Sequence, residues 1–179
     1  MKKETLFAKA ILITKEFGHS SNPMRVLATL LLLCSTCWFA QAQQDVDVNN
    51  VTKWQFKFAN EQFNQGEEVE IIFLATIEKG WSLYSSDFKA DIGPQPTEFE
   101  FAENGSFAVT KAISAVSPLK KVDKTWGTQI TYFTQKAEFR SKVRIDEINY
   151  DVTGIIRGQL CNDKKGVCIP FQKTFHFIN

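Results

Sequence analysis

The 179-residue chain is poor in the residues that most enzyme sites are built from: two histidines, four cysteines and two methionines, with a net charge of only +1. Without clustered positive charge it lacks the means to grip phosphate backbones, so no nucleic-acid partner is expected. An acidic tail, internal repeats, low-complexity segments and long linkers are also missing. No stretch keeps a helical period. The scattered Asp and Glu single out no glycosidase-type carboxylate pair.

Hydrophobic content is ample, at 44%, with 13% aromatic residues, so one domain can bury a full core without metals or cross-links. The one long apolar run falls early. Residues 24–42, "MRVLATLLLLCSTCWFAQA", read as a secretory signal: Arg25 gives the positive start, Val26 to Phe39 the apolar stretch, and Ala40-Gln41-Ala42 the cleavage site. The competing reading is an uncleaved anchor. Leu33 and Thr36 stand before Cys34 and Cys37 where a lipoprotein signal has a smaller residue. Residues 1–23 are unusual before such a signal, which makes Met24 the expected start.

Cleavage leaves residues 43–179 with 16 basic and 18 acidic side chains, and no membrane span. Only Cys161 and Cys168 then remain, and an exported pair is able to form a disulfide. Residues 43–52 read as a polar leader and 53–179 as one folded domain.

Within that domain nearly every segment alternates with a period of two. "EEVEIIFLATIE" sets Val69, Ile71, Phe73, Ala75 and Ile77 on one face, and "KWQFKFA" does the same with Trp54, Phe56 and Phe58. "TEFEFA", "SFAVTKAI", "TQITYFT", "KAEFRSKVRI", "YDVTGIIRGQL" and "FQKTFHFI" continue the pattern between turn signals. The expected fold is all-β, an antiparallel sandwich, with a small closed barrel as the competitor.

"GQLCNDKKGVCIPF" places Cys161 at the end of one strand and Cys168 at the start of the next. Opposite positions of paired antiparallel strands lie within disulfide reach. Closing so short a loop is worth about 2.5 kcal/mol by chain entropy. A structural staple, an exchanging pair and a metal site all remain open on spacing alone. It is no thioredoxin-type motif, since six residues intervene and no helix follows. Metal would need Cys161, Cys168 and His176, one ligand short of a structural zinc site, and neither metal nor cofactor is expected. His176 reads as a satisfied strand histidine. Trp81 and Trp126 lie beside turns, either as packing residues or bordering a recognition surface, as in carbohydrate-binding modules.

Four motifs in order, "EKGWSLYSSD" with "GPQPTEFEF", "KVDKTWGTQITYF" and "GQLCNDKKGVCIPF", resemble the N-terminal periplasmic domain of DsbD-type thiol:disulfide interchange proteins. The likeness runs from about Val51 to Ile178. It implies an immunoglobulin-like sandwich with a C-terminal redox hairpin, and a role as a periplasmic component of a protein-disulfide reductase relay. Electrons would come from a membrane-associated thioredoxin-like donor and pass to oxidised envelope proteins. Cys168 would form the mixed disulfide and Cys161 resolve it. A cap loop at 123–127, with Asp123 and Trp126, would shield the pair, and Tyr84 would pack nearby. The sequence departs from the family in several places. Thr125 stands where the cap has Phe, so shielding requires Trp126 to take that part. Ser82 replaces a second tyrosine, the intercysteine loop is longer than in many relatives, and Phe171 stands where a second proline is common. The domain is expected to stand free of the family's transmembrane and thioredoxin-like domains, with another chain as its donor. The rival expectation is a secreted sandwich binding module with an inert disulfide.

Overall fold

A computed structural model describes residues 47–89, 93–123 and 127–178. The signal-like segment and its cleavage site lie outside these residues. Among the described residues no helix is long and apolar enough to cross a membrane.

One short helix, α1 (Val48–Val51), opens the domain, its N-terminus capped by Asp47, which accepts a hydrogen bond from Asn49 N at 2.9 Å. Ten strands follow: β1 (Thr52–Phe58), β2 (Glu68–Ile77), β3 (Ser82–Tyr84), β4 (Glu98–Phe101), β5 (Phe107–Ala115), β6 (Leu119–Val122), β7 (Gln129–Thr134), β8 (Lys136–Ile145), β9 (Asp151–Asn162) and β10 (Val167–Ile178). The helix lies within the stretch read as a polar leader. Val51 is buried in the core and its carbonyl accepts Glu78 N at 2.8 Å, so the ordered fold takes in residues before Lys53.

The strands form two antiparallel sheets. One has the order β1-β2-β8-β5. The other runs β10-β9-β3-β7-β6, with β4 on the same edge of β9 as β3. This is the immunoglobulin-like sandwich, and two separate sheets with free edges rule out the closed barrel. β3 and β6 are three and four residues long, too short for alternation to reveal in the sequence.

Alternation decides what each sheet buries. In β2 the face of Val69, Ile71, Phe73, Ala75 and Ile77 is buried, and in β8 that of Ala137, Phe139, Ser141, Val143 and Ile145. Aromatic rings interlock across the two sheets. Phe73 meets Phe175 edge-on at 5.0 Å and Phe99 at 4.9 Å, and Phe133 meets Phe139 at 5.2 Å. Trp81 is buried and packs in this core.

Two features position the C-terminal hairpin. β9 and β10 pair along their whole length, twelve residues each, which fixes the register of everything at the tip. Gly154 sits where β4 and β10 close in on β9: a Cβ there would lie 2.2 Å from Glu100 O and 2.4 Å from the Phe175 ring. Pro170 is accommodated because β10 is the terminal strand of its sheet.

Candidate functional site

The hairpin tip is tighter than the sequence suggests. Asn162 and Val167 are themselves paired, so the turn is Asp163–Gly166. Lys165 N donates to the Asn162 carbonyl and to its Oδ1, both at 3.1 Å, and Gly166 takes a φ of +63°, a left-handed value that favours glycine. Cys161 and Cys168 are opposite one another in the ladder, with Cα atoms 4.1 Å apart and a disulfide between them. The two ends of that bond differ. Cys161 is 1% exposed, whereas Cys168 is open to solvent.

The register places the disulfide in its setting. Cys161 faces Cys168 on one side and Ser82 on the other; Tyr84, two residues on, pairs with Tyr132, and Lys121 pairs with Ile130. Paired residues share a face, as do residues two apart. Cys168, Cys161, Ser82, Tyr84, Tyr132, Ile130 and Lys121 therefore share the sheet face opposite to Leu83, Leu160 and Phe133, which point into the main core. On this outer face Tyr84, Phe88, Ile130 and Cys161 form a second, smaller buried cluster, with Tyr132 packed against it. Phe88 is folded onto Tyr84, with ring centroids 6.2 Å apart. Ser85 N donates to the Thr131 carbonyl at 2.9 Å, Thr97 Oγ1 to the Tyr84 carbonyl at 2.5 Å, and Thr131 Oγ1 bonds Asp87.

Charge is arranged around this cluster. Burial first, then the carboxylates of Asp163 and Asp123, push the Tyr84 phenol from its ordinary 10.0 up to about 12. Tyr84 is thus a neutral, buried hydroxyl throughout the physiological range. Lys121 Nζ binds Asp163 Oδ2 at 2.9 Å while lying 4.9 Å from the centre of the Tyr132 ring, which ties β6 to the hairpin turn. Asp123 is half-buried; its backbone closes the following turn through Asp123 N to Thr128 O at 2.9 Å and Gly127 N to Asp123 O at 2.8 Å. Trp126 lies outside the described residues.

The structure thus brings Cys161, Cys168, Tyr84 and Asp123 to one end of one sheet. His176 is elsewhere. It pairs with Thr153, eight residues along β10 from Cys168 and roughly 26 Å away at strand rise, with its Nε2 2.6 Å from Asp151 Oδ1. It is a satisfied strand histidine, too far from the cysteines to serve as their third metal ligand. Sequence reasoning missed Phe88, Ile130, Tyr132, Lys121 and Asp163. The available signal was "QITYF", apolar or aromatic on both faces, which marks a strand covered on both sides.

The family described as thiol:disulfide interchange protein DsbD, N-terminal, matches residues 48–179. Among solved structures, the N-terminal periplasmic domain of ScsB from Proteus mirabilis is similar with a TM-score of 0.53 at 12% identity, covering 74% of this chain and 48% of that one. The chain thus spans about half of that structure. The DsbD N-terminal domain from Neisseria meningitidis, in the reduced form, gives a TM-score of 0.51 at 13% identity, covering 78% of this chain and 94% of that one. At such identities these likenesses are of fold. No curated protein matches in sequence.

Proposed function

The chain belongs to the DsbD N-terminal family of thiol:disulfide interchange proteins, and from that premise we propose that it is an exported thiol–disulfide carrier working through Cys161 and Cys168. It accepts reducing equivalents from a membrane-associated thioredoxin-like donor and passes them to oxidised envelope proteins. The observation that carries this reading is the asymmetry of the bond: a buried cysteine joined to an exposed one, at the tip of a terminal hairpin and apart from the main core. A staple adds least where it joins neighbours that a twelve-residue ladder already holds.

In the loading half-reaction a donor thiolate attacks Cys168 Sγ, the S–S bond breaks, and Cys161 leaves as the thiolate and takes up a proton. The donor's second thiol then resolves the mixed disulfide. The donor ends oxidised and the chain holds two thiols, a transfer of two electrons and two protons. In the delivery half-reaction the Cys168 thiolate attacks the acceptor's disulfide. Cys161 then attacks Cys168 Sγ, which releases the acceptor's dithiol and restores the bond. The 123–127 turn, with Asp123 and Trp126, borders the pair and narrows the approach to it, and Tyr84 backs it. Export rests on the signal-like segment 24–42, and the mature chain begins at Gln43 in the periplasm.

Equilibration with glutathione buffers tests the reading. A reduction potential above about −300 mV supports exchange, and one well below it marks a structural bond and supports the secreted binding module instead.

A further inference from the structure

A cleft of about 240 Å³ opens beside the disulfide hairpin, lined in part by Lys79, Trp81, Ser82, Gln135, Asp163 and Lys164. Ser82 is the register neighbour of Cys161, and Asp163 and Lys164 belong to the turn between the cysteines. The cleft thus adjoins the hairpin that carries the disulfide, although neither cysteine lines it.

Its walls are unevenly charged. Lys79 and Lys164 are both exposed and have no ion-pair partner among the described residues. The lone carboxylate in the lining, Asp163, is already engaged by Lys121 at 2.9 Å. Lys165, exposed in the same turn, adds a further positive charge. Trp81, at 6% exposed, shows the cleft little more than an edge, so the free groups are two ammonium ions above a wall of backbone and small polar side chains. The acids that face Tyr84, Asp123 and Asp163, leave this balance intact, because Asp123 does not line the cleft.

We propose that this cleft seats an acidic side chain of the exchange partner, carried a few residues from the partner's reacting cysteine. The inference rests on the exchange reading and adds the partner's chemistry: an Asp- or Glu-bearing segment, drawn in by Lys79 and Lys164, that steers its thiolate onto Cys168 Sγ. The covalent step is the one given above, in which the S–Cys168 bond forms, the Cys161–Cys168 bond breaks, and Cys161 departs as the thiolate. At about 240 Å³ the cleft has room for such a side chain.

Two synthetic thiol peptides test this, acetyl-Cys-Gly-Glu-Glu-amide and acetyl-Cys-Gly-Gln-Gln-amide, with mixed-disulfide formation on the oxidised protein followed by mass spectrometry and rates expressed per thiolate. At low ionic strength the Glu peptide should react faster by roughly threefold or more, and added salt should close the gap. The Lys79→Gln/Lys164→Gln double variant should lose the preference, while Lys57→Gln, on the other sheet, should keep it. Equal rates with the two peptides, or a preference that survives in the double variant, overturns the cleft assignment alone. If neither peptide reacts, the exchange reading falls and this inference falls with it.

Discussion

Cys168 stands directly opposite Cys161 across the β9–β10 ladder, Cα to Cα 4.1 Å, yet one cysteine is open to solvent and the other is sealed beneath Tyr84's cluster. The bond joins an accessible sulfur to a protected one. It also spans two strands that remain paired whether or not it exists, because ten further residue pairs continue the ladder beyond Cys168. Reduction should therefore leave the domain folded, lowering its stability by at most about 2.5 kcal/mol. Urea unfolding followed by tryptophan fluorescence, with and without dithiothreitol, measures this; an unfolded reduced protein in the absence of urea contradicts it.

Tyr84 yields a pH prediction whose sign is fixed. Its phenol is held neutral in the folded state up to about pH 12, against 10.0 unfolded, so the stability tied to the neutral form is complete below pH 10. Between pH 10 and 12 the unfolded chain loses this proton first, and stability falls by about 2–3 kcal/mol as pH rises. Tyr84→Phe removes that component. The gap in unfolding free energy between wild type and Tyr84→Phe should be flat up to pH 10 and then shift against the wild type. A gap that stays constant to pH 12 shows that the phenol is not held this way.

Gly154 makes a purely steric prediction. Its backbone is not left-handed, so conformational freedom is not at issue; the space is simply taken by Glu100 O and the Phe175 ring. Gly154→Ala should cost about 3 kcal/mol or more, since β4 or β10 must move away from β9. Thermal unfolding compares it with Gly105→Ala, where a Cβ meets nothing within 4 Å and the cost comes from the φ of +81° alone. Equal losses in the two variants would mean that the close approach is not what holds Gly154 in place.

The strands with long alternation were legible in the sequence because burying one face imposes a period of two, as the Val69 to Ile77 series shows. That Cys161 and Cys168 could lie opposite one another followed from the same regularity. What the sequence hid has physical causes. Ser82–Tyr84 and Leu119–Val122 are strands only by virtue of the partners that β7 offers, and three or four residues carry no period of their own. Val51 looked like part of a polar leader because its neighbours are polar, while its own burial comes from core residues distant in sequence. The outer-face cluster was hidden for a related reason. Phe88, Ile130 and Cys161 lie far apart in sequence and meet only after the sheet has formed.

The cap makes its own prediction. The turn that begins at Asp123 is closed by two backbone hydrogen bonds, and β6 before it is tethered to the hairpin through Lys121 and Asp163. If Trp126 covers the sulfurs from that turn, Trp126→Ala should speed the reaction of the disulfide with a small neutral thiol several-fold. Rates equal to wild type would remove the turn from any shielding role.

The order of events in exchange follows from the burial asymmetry. A thiolate attacks a disulfide along the S–S axis, so it needs an open approach to the sulfur it attacks. Cys168 offers that approach and Cys161 does not. The departing sulfur is then Cys161, which stays in its apolar cluster and is held by the ladder within reach of Cys168, ready to resolve the mixed disulfide. Removing Cys161 abolishes resolution but not attack, so Cys161→Ala should accumulate a mixed disulfide with a thioredoxin-like partner through Cys168. Cys168→Ala leaves only the sealed thiol, which a partner cannot reach, and it should accumulate little. Non-reducing gels of envelope extracts, with the trapped bands identified by mass spectrometry, measure both. Equal trapping by the two variants, or trapping by Cys168→Ala alone, would reverse the roles assigned to the two sulfurs. Trapping by neither would leave the bond a staple.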